Sequence, residues 1–143
     1  MQEIYKKYID NSFDGHYQAD FKFHQFELNY KKFFCRSVNP KVLDIGVGRG
    51  EMLSCMKNWG HNYHGIDISP STIEFCKKID LSCELVDDTE FWLRDNQNQF
   101  DIITCLDVLE HISKDRLIHF LEATRKSLNK DGVAIFQVPN LQS

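Results

Sequence analysis

The sequence predicts an α/β fold in which helices cover both faces of a mostly parallel sheet, and three observations point to it. Short apolar runs of strand length alternate with amphipathic stretches of helix length from Pro40 onward. Glycine, asparagine and aspartate residues punctuate these segments as turn formers do. The 143 residues, 42% of them hydrophobic, are enough for one buried core and contain neither a repeat nor a low-complexity linker, which predicts a single domain.

Residues 1–38 are predicted as an N-terminal helical segment, because aromatic side chains recur there at helical spacing. The repeat predicts an amphipathic helix from His24 to Arg36. Its apolar face carries Phe23, Phe26, Tyr30, Phe33 and Phe34. We expect this helix to pack on the core, and the alternative is a lid over a bound cofactor, preceded by Tyr17 and Phe21.

Residues 39–143 are predicted as the core, which begins with a strand at Val42–Ile45 that ends in glycines. A helix follows from Glu51 to Trp59, with Gly60 placed to end it, and Tyr63–Ile68 is predicted as strand two. Ser69 and Pro70 are typical of a helix N-terminus. The buried stripe of that helix is predicted to be Ile73, Cys76 and Ile79.

The same alternation continues to the end of the chain. In order, the predicted segments are strand three at Ser82–Val86, a short helix at Glu90–Arg94, strand four at Asp101–Leu106, a longer helix capped by Ser113, and strand five at Val133–Val138. The longer helix is predicted to bury Leu117, Phe120, Leu121, Thr124 and Leu128. Asn129 to Gly132 predict the turn into strand five.

Strands that alternate with helices imply right-handed crossovers, and hence a Rossmann-like, doubly wound parallel sheet. We expect the strand order 3-2-1-4-5. In such a sheet a ligand lies beyond the carboxyl ends of the strands where the order reverses, which here is between strands one and four. We expect the fold to be incomplete after strand five and the chain to be a fragment of a longer protein.

A glycine loop follows strand one at this position. The run D-I-G-V-G-R-G places Asp44 before Gly46, Gly48 and Gly50, and a helix begins next. Glycine lets a ligand approach the backbone, and the helix N-terminus offers free N–H groups to a carboxylate. Asp67 ends strand two about 20 residues after Gly46, where a Rossmann fold places the carboxylate that binds ribose hydroxyls.

The residues of this loop leave two nucleoside cofactors open, NAD and S-adenosylmethionine. A dinucleotide loop normally reads G-x-G-x-x-G, whereas this one has glycines at three alternate positions. Asp44 would repel a pyrophosphate but suits a cationic amino group. The loop therefore favours S-adenosylmethionine, and an NAD-binding oxidoreductase domain remains as an alternative.

Four motifs together make residues 38–140 resemble the class I S-adenosylmethionine-dependent methyltransferases. They are D-I-G-V-G-R-G, G-I-D-I-S, F-D-I-I-T-C-L-D-V-L-E-H-I and L-N-K-D-G-V-A-I-F-Q-V-P-N. A narrower resemblance is to bacterial methyltransferase domains that accompany glycosyltransferases of surface-polysaccharide synthesis. It implies O-methylation of a sugar or another small molecule, and a non-catalytic module that binds S-adenosylmethionine is the second alternative.

The resemblance also implies a set of cofactor-binding residues. Asp44, Gly46 and Gly48 would line the methionine end of the cofactor, and Asp67 would hold the ribose. Ile68 would pack on the adenine, and Asp88 would accept a hydrogen bond from the adenine amino group, with Asp87 as its neighbouring alternative. Asp88 is equally expected as a helix cap. Gly50 and Leu106 are assigned to the same site.

Asp107, Glu110 and His111 follow strand four at spacings that would put them on one side of a helical turn. As catalytic residues, His111 or Asp107 would act as general base toward an acceptor hydroxyl. The set also resembles the E-x-x-E-H metal site of some O-methyltransferases, but Asp107 replaces the first glutamate, so no metal is expected. The third alternative is that the three residues only support the fold.

Composition limits the partners and the location. The formal charge of −4 is spread along the chain, which argues against binding to nucleic acid. No apolar run is long enough to span a bilayer, and five cysteines without C-x-x-C spacing indicate a reduced, cytoplasmic protein. Strand five would expose an apolar edge, so we expect a homodimer through that edge.

Overall fold

Helices and strands alternate along the chain in the computed structural model, which describes residues 16–35 and 37–140. The elements are α1 (His16–Phe34), β1 (Lys41–Ile45), α2 (Glu51–Asn58), β2 (Asn62–Asp67), α3 (Pro70–Lys78), β3 (Cys83–Leu85), α4 (Thr89–Asp95), β4 (Phe100–Leu106), a 3₁₀ turn (Leu109–His111), α5 (Lys114–Ser127) and β5 (Leu128–Gln137). The predicted alternation is confirmed. Among the described residues, no helix combines the length and the apolar composition that crossing a bilayer requires.

The strands form one sheet in the order β3-β2-β1-β4-β5, and every neighbouring pair is parallel. The predicted Rossmann-like order 3-2-1-4-5 is therefore confirmed. The central strand β1 lies between β2 and β4, so that Leu43 is opposite both His64 and Ile103. A strand that is covered on both faces usually carries apolar side chains along its whole length. In β1, Asp44 is the exception among the buried positions.

Two apolar clusters lie on the two faces of the sheet. Side chains at alternate strand positions divide between them, so that Val42 faces one cluster and Leu43 the other. The first cluster packs α1, α2 and α3 on the sheet, and the second packs α4 and α5. Phe34 of α1 is buried with its ring 5.1 Å from that of Trp59, which agrees with the packing role predicted for this helix.

The predicted caps are present at the helices that flank β2. The Ser69 hydroxyl accepts a hydrogen bond from the Thr72 N–H at 3.4 Å, and Pro70 is the first residue of α3. Gly60 follows the end of α2 in the left-handed region, with φ of 77°. Ile73, Cys76 and Ile79 are all buried as predicted.

The first helix differs from its prediction. It begins at His16 rather than His24, and it ends at Phe34 rather than Arg36. The prediction followed the aromatic spacing of residues 23–34 alone, whereas residues 16–22 contain neither glycine nor proline and are compatible with a longer helix. The predicted N-terminal lid also included residues 1–15, which lie outside the described residues.

The second difference is at β5, because the predicted turn at Asn129 to Gly132 lies inside the strand. β5 begins at Leu128 and ends at Gln137, and its register against β4 shifts between Phe100 and Ile102. The Asp101 carboxylate accepts from the Asn129 side-chain amide at 2.9 Å and from the Lys41 N–H at 2.8 Å. The predicted turn is therefore a bulge-like irregularity within β5, with Asn129 joined to β4 through Asp101.

This correction also shortens the helix before it. Leu128 was predicted to belong to the buried stripe of α5, but it is the first residue of β5. In the rest of the stripe, Phe120 and Thr124 are buried, while Leu117 and Leu121 are half-buried. Ser113 occupies the predicted N-cap position without a capping hydrogen bond from its side chain.

Candidate functional site

A cleft lies beyond the carboxyl ends of the central strands, where the strand order reverses, and it consists of two adjoining cavities of about 350 Å³ each. Gly46 lines both. We call the first the Asp67 cavity, which is lined by Asp67, Ile68, Asp87, Asp88, Val108, His111, Ile112 and Arg116 among others. We call the second the Asp44 cavity, which is lined by Lys22, Phe26, Asp44, Gly48, Glu51, Leu106 and Asp107 among others.

Asp44 is a buried carboxyl group at the floor of the Asp44 cavity, with only 3% of its surface exposed. The Thr104 hydroxyl of β4 donates to its Oδ1 at 2.6 Å. Burial raises the pKa of Asp44 to about 8, against the lowering effect of the Thr104 hydrogen bond, and the nearby carboxylates Glu51 and Asp67 raise it further. At neutral pH the raised pKa favours the protonated, neutral form of Asp44 in the protein without a ligand.

The three loop glycines differ in what their backbone faces. A Cβ on Gly46 would lie 2.4 Å from a methyl group of Val108, and one on Gly50 would lie 2.4 Å from a methyl group of Leu81. Both glycines are thus required by close packing. A Cβ on Gly48 would meet nothing closer than Glu51 Oε2 at 3.9 Å, so this glycine keeps the Asp44 cavity open. Gly50 is buried and lines neither cavity.

The predicted nucleoside-binding residues meet in the Asp67 cavity. Asp67 ends β2, and its Oδ1 accepts from the Ser69 N–H at 2.8 Å, which fixes the carboxylate at the cavity wall. Ile68 is 65% exposed beside it, although an isoleucine normally avoids water. Asp87 and Asp88 are both exposed on the opposite wall, and Asp88 Oδ1 also caps α4 by accepting from the Phe91 N–H at 2.9 Å.

The three candidate catalytic residues do not share one face. Asp107 directly follows β4, has a φ of 57° and lines the Asp44 cavity. His111 lines the Asp67 cavity instead. The Glu110 side chain lines neither and lies 3.9 Å from His111 Nε2. In the described part of the chain these residues do not form a cluster that could hold a metal ion. A 3₁₀ turn covers Leu109–His111 and leaves Asp107 outside it, so the α-helical turn assumed from the spacing is absent there.

Residues of α1 and α2 also line the cleft, although from the sequence only a lid, as the alternative for α1, connected either helix with the site. Lys22 and Phe26 of α1 line the Asp44 cavity, and Lys22 Nζ lies 3.0 Å from Glu51 Oε1 of α2. The spacing of four residues between Lys22, Phe26 and Tyr30 places them on one side of α1. The spacing of Phe26 and Tyr30 was visible in the sequence, but it predicted only an apolar helix face that packs on the core.

A polar network joins α1 to the carboxyl end of β4. The Tyr30 hydroxyl donates to Gln137 Oε1, and Gln137 Nε2 donates to the two carboxylate oxygens of Asp107 at 3.3 and 3.5 Å. Burial raises the pKa of Tyr30, and the negative charge of Asp107 adds to the effect. The phenol is therefore a neutral donor at physiological pH.

Comparison with known proteins gives a family and several relatives. A family model described as a methyltransferase domain matches residues 16–143. A ubiquinone biosynthesis O-methyltransferase from Bartonella quintana is 34% identical over 106 residues, which cover 71% of this chain and 42% of the relative. The chain spans about half the length of the curated relatives that it matches.

Solved structures agree with this assignment. A methyltransferase from Archaeoglobus fulgidus described as dependent on S-adenosylmethionine superposes with a TM-score of 0.77 at 25% identity, covering 87% of this chain and 55% of that one. The PKMT2 protein of Rickettsia typhi, solved with S-adenosylhomocysteine, has a TM-score of 0.54 at 31% identity and covers 67% of this chain and 20% of its own.

The buried Asp44 carboxyl predicts a pH dependence of stability. Between pH 4 and 8 the folded protein keeps a proton that the unfolded chain, with an ordinary pKa of 3.8, has lost. The free energy of unfolding should therefore fall as the pH rises through this window, by up to about 1.4 kcal/mol per pH unit from this group. Urea unfolding of the wild type and of Asp44→Asn at pH 5, 6, 7 and 8 measures the difference.

Asp44→Asn should remove this part of the slope, because the amide does not titrate. Asp131→Asn changes an exposed carboxyl group and serves as the matched control. Equal slopes for the wild type and Asp44→Asn would contradict the assignment.

Proposed function

Because the chain belongs to the family of class I S-adenosylmethionine-dependent methyltransferase domains, we propose that its cleft binds S-adenosylmethionine and that the whole protein transfers the methyl group to a hydroxyl of a small molecule. The observation that carries the proposal is the buried Asp44 carboxyl beside the open backbone at Gly48. A buried acid whose partner is a neutral hydroxyl suits a cationic ligand, and the open backbone gives that ligand room.

The two cavities fit the two halves of this cofactor. In the Asp44 cavity, an ammonium group beside Asp44 would lower the pKa of that carboxyl group, so that it would lose its proton and pair with the cation. Glu51, which also pairs with Lys22, would line the same cavity, and Leu106 would be an apolar wall. In the Asp67 cavity, Asp67 would accept hydrogen bonds from the ribose hydroxyls, and the exposed Ile68 would cover one face of the adenine. Asp87 or Asp88 would accept from the adenine amino group.

The charges of the Asp44 cavity are mixed. Its acidic residues Asp44, Glu51 and Asp107 lie with the basic residues Lys22 and Arg49, and Lys22 pairs with Glu51. Charge alone therefore does not separate S-adenosylmethionine from NAD, and the titration below does. A module that binds S-adenosylmethionine without catalysis has the same cavities, so it differs from an enzyme only in turnover.

Calorimetric titration with S-adenosylmethionine, S-adenosylhomocysteine and NAD tests the cofactor. We expect both S-adenosyl ligands to bind and NAD not to bind. Gly48→Ala should weaken S-adenosylmethionine by about tenfold or more, because its Cβ would enter the cavity. Gly60→Ala is the matched control, because it places a Cβ at another positive φ where nothing lies within 4 Å. Binding of NAD in preference to S-adenosyl ligands would overturn the proposal.

When bound, S-adenosylmethionine supplies a methyl group on a positively charged sulfur, which is a good leaving group. The residues of this chain then have to align the acceptor and exclude water. Phe26 of α1 gives the Asp44 cavity an apolar wall on the acceptor side. Lys22 and Glu51 close that wall with their ion pair.

Asp107 is the residue that we assign to proton removal from the acceptor hydroxyl. It shares the Asp44 cavity with the predicted methionine-binding residues, while His111 lines the other cavity. An exposed carboxylate has lone pairs available to an acceptor, and a general base contributes mainly where the nucleophile is a weakly acidic hydroxyl.

Two acceptor classes are proposed, a ring hydroxyl and a sugar hydroxyl. Ubiquinone biosynthesis O-methyltransferases are among them, which supports a ring hydroxyl as acceptor. The resemblance to domains of polysaccharide synthesis supports a sugar hydroxyl instead. Both are small molecules with a hydroxyl nucleophile, so a catechol and a methyl glucoside are suitable first probes.

Substitutions at Asp107 and His111 separate their roles. With whichever probe the wild type methylates, Asp107→Asn should lower kcat about 100-fold through loss of the base, and His111→Ala should change kcat by less than about threefold. Formation of S-adenosylhomocysteine, measured by chromatography, gives the rates. A larger fall in kcat for His111→Ala than for Asp107→Asn would assign the general base to His111 instead. A wild type that binds the cofactor but methylates neither probe would support the non-catalytic module.

We also propose a homodimer through β5. Among the described strands β5 pairs only with β4, so its other edge presents unpaired backbone groups. Phe136 is 37% exposed and Val138 is 53% exposed at the end of that edge. Sedimentation velocity should show a dimer that Phe136→Lys dissociates, whereas Phe91→Lys, a change at an exposed residue of α4, should leave it intact. A wild-type monomer at high concentration would contradict this proposal.

A cytoplasmic location is proposed from the cysteines. All five are free, and four of them are buried. Burial raises the pKa of Cys55, Cys76 and Cys105 to about 12, so these thiols are unreactive and suit a reducing compartment.

A further inference from the structure

Asp107 and Gln137 are joined twice at the carboxyl end of the sheet. The Asp107 N–H donates to the Gln137 carbonyl at 2.9 Å, and the Gln137 side-chain amide donates to both oxygens of the Asp107 carboxylate. The backbone of Asp107 has a φ of 57°, which a non-glycine residue adopts at some cost. The carboxylate is therefore held in one orientation by a side chain of the neighbouring strand.

Tyr30 fixes the amide that holds Asp107. Its hydroxyl donates to Gln137 Oε1, so the Gln137 nitrogen must point the other way, toward the carboxylate. The Tyr30 ring is 9% exposed and lies 5.5 Å from the ring of Phe26, which lines the Asp44 cavity. The packing of α1 thus sets which way the Gln137 amide faces.

We propose that Tyr30 and Gln137 are positioning residues that aim the Asp107 carboxylate at the acceptor hydroxyl. The proposal rests on the proposed methyltransferase function. In the reaction an oxygen lone pair of the acceptor forms the new bond to the methyl carbon, and the carbon–sulfur bond breaks with its electron pair left on sulfur. The hydroxyl proton passes to a carboxylate oxygen of Asp107, so that the positive charge of the donor and the negative charge of Asp107 are both neutralised.

The Asp107 carboxylate can accept hydrogen bonds from the Gln137 amide and from the acceptor hydroxyl at the same time. An ionised carboxylate offers about four lone-pair positions, and the Gln137 amide occupies one side of the group. Asp107 is exposed, so its remaining lone pairs are accessible from the Asp44 cavity. Without the amide, rotation of the side chain would move these lone pairs away from the acceptor, and a positional error of about 1 Å costs roughly 100-fold in rate.

The turnover experiment uses Tyr30→Phe, which keeps the ring and removes the hydroxyl, and Gln137→Met, which keeps the length and removes the amide. With the probe that the wild type methylates, kcat should fall about fivefold for Tyr30→Phe and about 20-fold for Gln137→Met. The KM for the acceptor and the calorimetric affinity for S-adenosylmethionine should change less than about twofold. Tyr63→Phe is the matched control, because the Tyr63 hydroxyl accepts from the Ser82 N–H far from the cleft.

A second readout does not depend on turnover. In ¹H–¹⁵N spectra of the protein without ligands, Tyr30→Phe and Asp107→Asn should both shift the side-chain amide resonances of Gln137, and Tyr63→Phe should leave them in place. Unmoved resonances in Tyr30→Phe would overturn the proposal, as would a kcat for Tyr30→Phe equal to that of the control. If the wild type methylates neither probe, the proposed function fails, and the amide resonances alone decide whether Tyr30 orients Gln137 toward Asp107.

Discussion

The cleft depends on one buried carboxyl group in the central strand. Asp44 takes a position that the packing of a parallel sheet would give to an apolar side chain, and the Thr104 hydroxyl donates to it. Burial of this acid is unfavourable, which the raised pKa of Asp44 expresses. A cation in the Asp44 cavity would offset that cost.

The glycine loop follows from the same constraint. The loop turns away from β1 at once and leaves the Asp44 cavity open, and close contacts hold it there. Gly46 packs against Val108 after β4, and Gly50 packs against Leu81 before β3. Only Gly48 faces open space. The three glycines therefore have two different roles: Gly46 and Gly50 allow close packing, and Gly48 leaves the cavity open. The sequence pattern does not distinguish these roles, because they depend on the atoms that each backbone contacts.

The central part of the fold could be predicted from the sequence, because local signals there agree with the tertiary structure. The apolar run of β1, the cap at Ser69 and the buried stripe of α3 each fix one element without reference to the rest. The acids at the ends of β1 and β2 were found for the same reason, since the strand order puts both at the cleft. The irregularity in β5 was missed because the pairing with β4, including the contact of Asn129 with Asp101, is not visible in the local sequence, which carries turn-forming residues.

The residues of α1 that line the Asp44 cavity could not be predicted in the same way. Lys22 and Phe26 reach the Asp44 cavity only because α1 packs across α2, and no local pattern states where a helix will lie. The contact of Tyr30 with Gln137 joins residues that are far apart in the chain. The spacing of Asp107, Glu110 and His111 was misleading, because a 3₁₀ turn and a residue at positive φ replace the helical turn that would have aligned them.

The separation of the two apolar clusters has a consequence for how such a domain can change. α1 belongs to the cluster on one face of the sheet, and the helices that flank the nucleoside half, α4 and α5, belong to the other. Among the described helices only α1 and α2 line the Asp44 cavity. An altered or exchanged first helix can therefore reshape the Asp44 cavity while the wall of the Asp67 cavity keeps its own packing. The two cavities of the cleft can in this way diverge through different parts of the chain.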